Sequence, residues 1–263
     1  GGLFSGRRVA GVATRAVAVS GPGQTLIVSE LNAPLTTALG LEDADRDLSI
    51  AYLIATVASG LLLARIGKSI DRLGSRIGTA VAAVAVAIAC CVLASAQNMV
   101  WVLVGFFAVR AAGQGAIALA AQHSVAMWFD KKLGIVNGYK MVATNLIWAG
   151  VPLLYLWLSG AIGWRLGYAA LGIGVAVIVA PLAILIIRDK PEDLGMRVDG
   201  VERDSGDIDE PDTKPWGFTL KQAERTSAFW IIVLASVAYS SIGTAALFHM
   251  QSYLAERSIG ITL

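Results

Sequence analysis

Long apolar runs broken by short polar stretches set the character of this chain. Crossing about 30 Å of hydrocarbon takes about 20 mainly apolar residues in a helix that rises 1.5 Å per residue. Seven segments reach that length, at 13–39, 48–66, 77–97, 100–129, 134–159, 164–187 and 228–254. They are rich in Ala, Leu and Gly and lack sustained alternation, so the pattern predicts helices and no strands. Between the second and third runs lies "GKSIDRLGSR", residues 67–76, a basic connection punctuated by glycine. Residues 40–47, "GLEDADRD", read as an acidic loop. Residues 188–227 read as a polar linker, and its "DSGDIDEPDTKP" has too few apolar side chains to pack. Thr219 and Gln222 have capping-box spacing, which predicts a short amphipathic surface helix over "TLKQAERT". The predicted organisation is an all-α membrane protein: a six-helix bundle over 1–187, the linker over 188–227, and a seventh membrane helix within 228–263.

Composition supports lipid as the solvent of these helices. Of 263 residues, 56% are hydrophobic and 15% charged, with mean hydropathy +0.66, against about 25% charged in soluble domains. The net charge is +2, and the basic residues sit in short clusters between apolar runs, so no nucleic-acid partner is expected. One set of connections collects Arg7, Arg8, Lys68, Arg72, Arg76, Lys131, Lys132, Arg188 and Lys190, whereas the other holds only Arg46 and Arg165. The positive-inside rule places the first set, and with it the N-terminus, in the cytoplasm. Six crossings separate the basic N-terminus from the basic linker, an even number, so span count and charge bias agree. Cys90 and Cys91 are adjacent in an apolar run and read as small core residues. No His, Cys or acidic group has metal-ligand spacing and no nucleophile–base pair is recognisable, so no catalytic residue, metal or cofactor is expected.

The connection at 67–76 resembles the loop signature of the major facilitator superfamily, G-x-x-x-D-R-x-G-x-R, matched here by Gly67, Asp71, Arg72, Gly74 and Arg76. Ser69 and Ser75 depart from its usual residues. "PGQT" at 22–25, "PL" at 34–35, "RAAGQG" at 110–115, "GWR" at 163–165 and "RDKPEDLG" at 188–195 are similar to the branch of microbial monocarboxylate and oxalate:formate-type carriers. The resemblance implies twelve spans in two six-span halves. The chain then reads as the first half, the central linker and the first helix of the second half, needing the missing bundle or a second copy to complete a pathway. It also implies that Asp71 and Arg72 take part in a charged gating contact between halves.

Several polar residues inside the spans carry candidate chemistry. In the fourth span Arg110, Gln114 and Gln122 recur at four and eight residues, one helical face at 3.6 residues per turn. A guanidinium at that depth must face protein or water, and its planar fork of donors suits a carboxylate. In the fifth span Asn137, Lys140, Thr144 and Trp148 share a face, and Lys140 is either a second cation for an anion or an interfacial anchor. The first span carries Thr25, Ser29, Asn32 and Thr36 on one face, with Pro22 and Pro34 loosening the helix. Glu30 and His249 are candidates for proton coupling, and His123 could also titrate.

The expected function is secondary active transport of a small organic anion, with or without protons, by alternating access. A carrier of drugs or sugars, or a non-transporting membrane sensor with a carrier-like fold, are the alternatives, because a fold does not fix its function. The expected location is a bacterial inner membrane, crossed many times.

Overall fold

The computed structural model describes residues 25–189 and 220–249. In chain order they form α1 (Thr25–Glu30), α2 (Asn32–Leu39), α3 (Ala44–Ala94), α4 (Met99–Val109), a π-helical segment (Arg110–Ile117), α5 (Ala118–Trp128), α6 (Leu133–Ile162), α7 (Trp164–Ile186), α8 (Leu220–Ala223) and α9 (Ser227–Phe248). Among the described residues there is no strand. Five stretches are long and apolar enough to cross a membrane: Arg46–Ala94, Met99–Trp128, Leu133–Ile162, Trp164–Ile186 and Ser227–Ala246. The first of these is two crossings, because α3 is broken at Gly74 (φ 80, ψ 163) and folds back on itself. A Cβ built on Gly78 would meet the Ile70 side chain at 3.4 Å, a contact that only antiparallel arms, 44–73 and 75–94, can make. The predicted second to seventh spans thus each have a helical counterpart, and the first is described from Thr25 onward.

Local chemistry explains where these helices stop. Pro34 has no N–H to offer the Glu30 carbonyl, and the chain turns at Leu31 between α1 and α2 instead of running through. The Leu31 N–H bonds tightly back to the Val28 carbonyl at 3.1 Å. Gly40 ends α2 in the left-handed region, its N–H reaching the Thr36 carbonyl. Asn98 opens α4 by accepting the Trp101 N–H on its side chain at 3.0 Å. Gly163 (φ 83, ψ 154) joins α6 to α7 in a single residue.

Two sequence expectations change here. Residues 67–73 are helical, so "GKSIDRLGSR" is not a loop with two hinge glycines. Gly67 has helical neighbours and open space where a Cβ would stand, and Gly74 alone makes the turn. The acidic stretch 40–47 is likewise helical from Ala44 on. Gly74 and Gly163 both occupy backbone space that only glycine enters without strain, which costs another residue about 1–3 kcal/mol. A Cβ on Gly163 would meet nothing within 4 Å. Gly163→Ala should therefore lose only that strain, and melting of the purified variant in detergent checks the figure.

The core of the first compact unit, within Gly1–Glu202, forms where α7 lies along the second arm of α3. Gly172 lets the two helices touch: a Cβ there would stand 2.5 Å from the Cys90 Cβ and 3.3 Å from the Ala87 Cα. Small residues allow such backbone approach between membrane helices. Both ends of the arm are capped from the α7 side. At its start the Asp189 carboxylate accepts the Arg76 N–H at 2.9 Å. At its end the Arg165 guanidinium donates to the Ala94 and Ala96 carbonyls, each at 2.8 Å. An acid at a helix N-terminus and a base at its C-terminus both oppose the helix dipole.

The second unit, within Arg203–Leu263, contains α8 and α9. Thr226 caps α9 by accepting the Phe229 N–H at 3.3 Å. Large apolar side chains such as Ile231, Leu234 and Ile242 are exposed along α9, a surface that suits lipid. The capping-box residue Thr219 lies outside the described residues.

Candidate functional site

Arg110 opens the π-helical segment in the middle of the fourth span. It is only 8% exposed, and its Nε and Nη1 have no hydrogen-bond partner among the described residues. Its guanidinium carbon lies 5.0 Å from the centre of the Tyr52 ring. Tyr52 is itself buried and fixed by an edge-on contact with Phe106, centroids 5.6 Å apart. A desolvated cation over an aromatic face gains about 2 kcal/mol, which offsets part of the cost of a buried charge and leaves N–H donors to fill.

The π winding alters the stripe read from spacing. Arg110 is buried whereas Gln114, four residues on, is exposed. The i, i+4 alignment assumes an α-helix, and i→i+5 bonding turns successive side chains by less. Gln122 lies beyond the π segment in α5 and accepts a hydrogen bond from Lys140 of α6. Twelve residues separate Arg110 from Gln122, about 18 Å along a helix. The structure therefore holds Lys140 at a different depth from Arg110 rather than beside it. Asn137, Lys140, Thr144 and Trp148 do lie on the less exposed face of α6, and Asn137 Oδ1 and Thr144 Oγ1 are buried without a hydrogen-bond partner among the described residues.

In the first span, Ser29 is buried and Asn32 half-buried, with Asn32 Oδ1 lacking a described partner. Thr25 lies at the start of α1 and its side chain is outside the described set. Glu30 is half-buried and lies within electrostatic range of the Tyr155 hydroxyl, which is buried without a described hydrogen-bond partner. Tyr155 meets Tyr168 edge-on, and Tyr168 hydrogen-bonds the Cys90 thiol. His249 follows the last turn of α9 as its cap residue and is exposed, rather than sitting inside the span.

At the Gly74 end, Asp71 has a described partner in the same unit. Its Oδ1 lies 3.5 Å from His123 Nε2, and His123 Nδ1 lies 2.7 Å from Ser75 Oγ. Arg76 donates from Nε to the Ile184 carbonyl at 2.7 Å. Trp128 donates its indole N–H to the Arg188 carbonyl at 3.0 Å. Arg72 is exposed. The signature residues thus tie the second, third, fourth and sixth spans together within one bundle. Asp189, supplied by "RDKPEDLG", is the residue that spacing did not single out for its place, and Tyr52 beneath Arg110 is one of the second-span residues, with Thr56 and Ser59, that read as either polar wall or packing. A pair of glycines at 113 and 115 beside an Arg was the available sign that the helix is irregular there.

Residues 13–263 match the sequence profile of the Major Facilitator Superfamily. An uncharacterized MFS-type transporter, YcxA of Bacillus subtilis (strain 168), is 30% identical over 155 residues, which take in 56% of this chain and 37% of that protein. The aligned part thus covers little more than a third of the relative. With its all-α, multi-pass architecture and a profile match over nearly its whole length, the chain belongs to the Major Facilitator Superfamily.

Proposed function

We propose that this protein is part of a secondary active carrier for a small organic anion of the mono- or dicarboxylate class, working by alternating access. The observation that carries the proposal is the buried Arg110, stacked on Tyr52 with two N–H-bearing nitrogens unfilled. A carboxylate accepts charge-assisted hydrogen bonds from a guanidinium and neutralises it, and a neutral sugar or a cationic drug does not. Gln114, Asn32, Thr25 and, at its own depth, Lys140 are the polar groups assigned to the rest of the pathway. Glu30, beside Tyr155, and His249 are assigned to proton coupling. Gly74, Asp71, Arg72 and Arg76 are assigned to gating at the basic end, which is taken as cytoplasmic in a bacterial inner membrane, and helical Gly67 is left out of the turn.

Equilibrium dialysis of the purified protein against radiolabelled formate, lactate and oxalate tests the reading, with glycerol as the neutral control. Arg110→Ala should weaken carboxylate binding at least tenfold, about 1.4 kcal/mol. Arg110→Lys should recover only part of that, since an ammonium is a point charge and not a fork. Unchanged carboxylate binding in both variants rejects anion recognition by Arg110.

A further inference from the structure

A groove of about 510 Å³ runs between the arms of the α3 hairpin and the fourth span, and Arg110 is not among its lining residues. It exists because side chains stop short there. Ala85 and Ala89 on the second arm of α3 face Ala108 and Ala112 of the fourth span, with Leu62 and Ile66 of the first arm as the other wall. From Gly78 to Val92 its lining spans fifteen residues of helix, about 21 Å. One leaflet of a bilayer is about 15 Å of hydrocarbon. The groove therefore has the reach of one acyl chain in one leaflet.

An apolar wall alone does not retain such a chain, because lipid tails are as apolar as leucine and gain nothing by leaving their neighbours. The second ingredient is charge on the groove wall. Arg65 lines the groove and is exposed. It has neither ion pair nor hydrogen bond from its side chain to any described residue. Lys68 and Arg72 follow at three and seven residues, on the same helical face, and both are exposed. Asp71 is the only acidic residue between Asp47 and Asp130, and it is turned to His123. Arg65 lies nine residues before Gly74, about 13 Å in from the turn, a depth from which its long stem can lift the guanidinium to headgroup level.

We propose that this groove is a site for an anionic phospholipid of the leaflet at the basic end, with one acyl chain between the arms of α3 and the fourth span and the phosphate on Arg65, supported by Lys68 and Arg72. The ligand is recognised by its charge and held in register by the groove.

The test is electron spin resonance of the purified protein in bilayers holding chain-labelled phosphatidylglycerol or chain-labelled phosphatidylcholine of the same acyl length. The immobilised fraction should be larger for phosphatidylglycerol. Arg65→Ala should lower that preference about fivefold, the weight of one basic residue near an anionic surface. Ala85→Trp, which fills the groove, should release the immobilised phosphatidylglycerol, and Ala112→Leu should do so in part if the Trp variant does not fold. Equal immobilisation of the two lipids overturns the proposal, as does a phosphatidylglycerol signal that survives Arg65→Ala unchanged. Absence of any immobilised lipid overturns it too, and assigns the groove to a helix of this or another chain.

Discussion

Gly74→Val should be among the most damaging single substitutions in the first unit, lowering its unfolding free energy by roughly 2.5–6 kcal/mol. Two effects add. A backbone at φ 80, ψ 163 is essentially glycine-only, and holding a β-branched residue there costs about 1–3 kcal/mol. A Cβ would also stand 2.6 Å from Asp189 Oδ1. The carboxylate is the far end of a side chain and can swing away, but it then surrenders the Arg76 N–H, a charge-assisted bond of about 1.5–3 kcal/mol. Asp189→Ala separates the terms, since it loses the cap and keeps the turn. The double variant should be no less stable than Gly74→Val, because the cap is already lost in both. Thermal melting followed by tryptophan fluorescence reads all three, and a Gly74→Val protein that melts with the wild type would remove any need for the one-residue turn.

Gly172→Val should come close to it, at the upper end of the roughly 1–3 kcal/mol typical of overpacking or beyond. The obstacle is not a flexible tip. The new Cβ would lie 2.5 Å from the Cys90 Cβ, 2.8 Å from its sulfur and 3.3 Å from the Ala87 Cα, so α7 and the second arm of α3 must part. The identity of the obstacle makes a sharper expectation. Cys90→Ala removes the sulfur and leaves the Cβ, so it should not rescue Gly172→Val, whereas Cys90→Gly should rescue part of the loss. Full rescue by Cys90→Ala would show that the sulfur, and not the backbone approach, sets the spacing of these helices.

The helices themselves were legible because a membrane span announces itself by length and apolarity, and each run from the second to the seventh has its helix. What periodicity did not reveal were the exceptions to ideal geometry. Spacing at 3.6 residues put Arg110 and Gln114 on one face, and the π winding over Arg110–Ile117 separates a buried Arg from an exposed Gln. Two glycines in "GKSIDRLGSR" suggested a loop, yet residues 67–73 stay helical because nothing before Gly74 breaks the α conformation. His123 lies 3.5 Å from Asp71, a contact between positions 52 apart that spacing does not encode. Pairings such as Arg76 with Asp189 join positions 113 apart, and no local pattern encodes them.

Those distances along the chain also order the birth of the bundle. The third span is complete by Ala94, yet the residue that caps its far end, Arg165, is made 71 residues after Ala94. The one that caps its near end, Asp189, follows Arg76 by 113. A growing chain adds about 5–20 residues per second, so this helix waits for seconds with both termini lacking these caps. Its partners during that interval must be the insertion machinery, lipid headgroups or water. The first unit locks only when synthesis has passed the sixth span and placed an aspartate three residues beyond it.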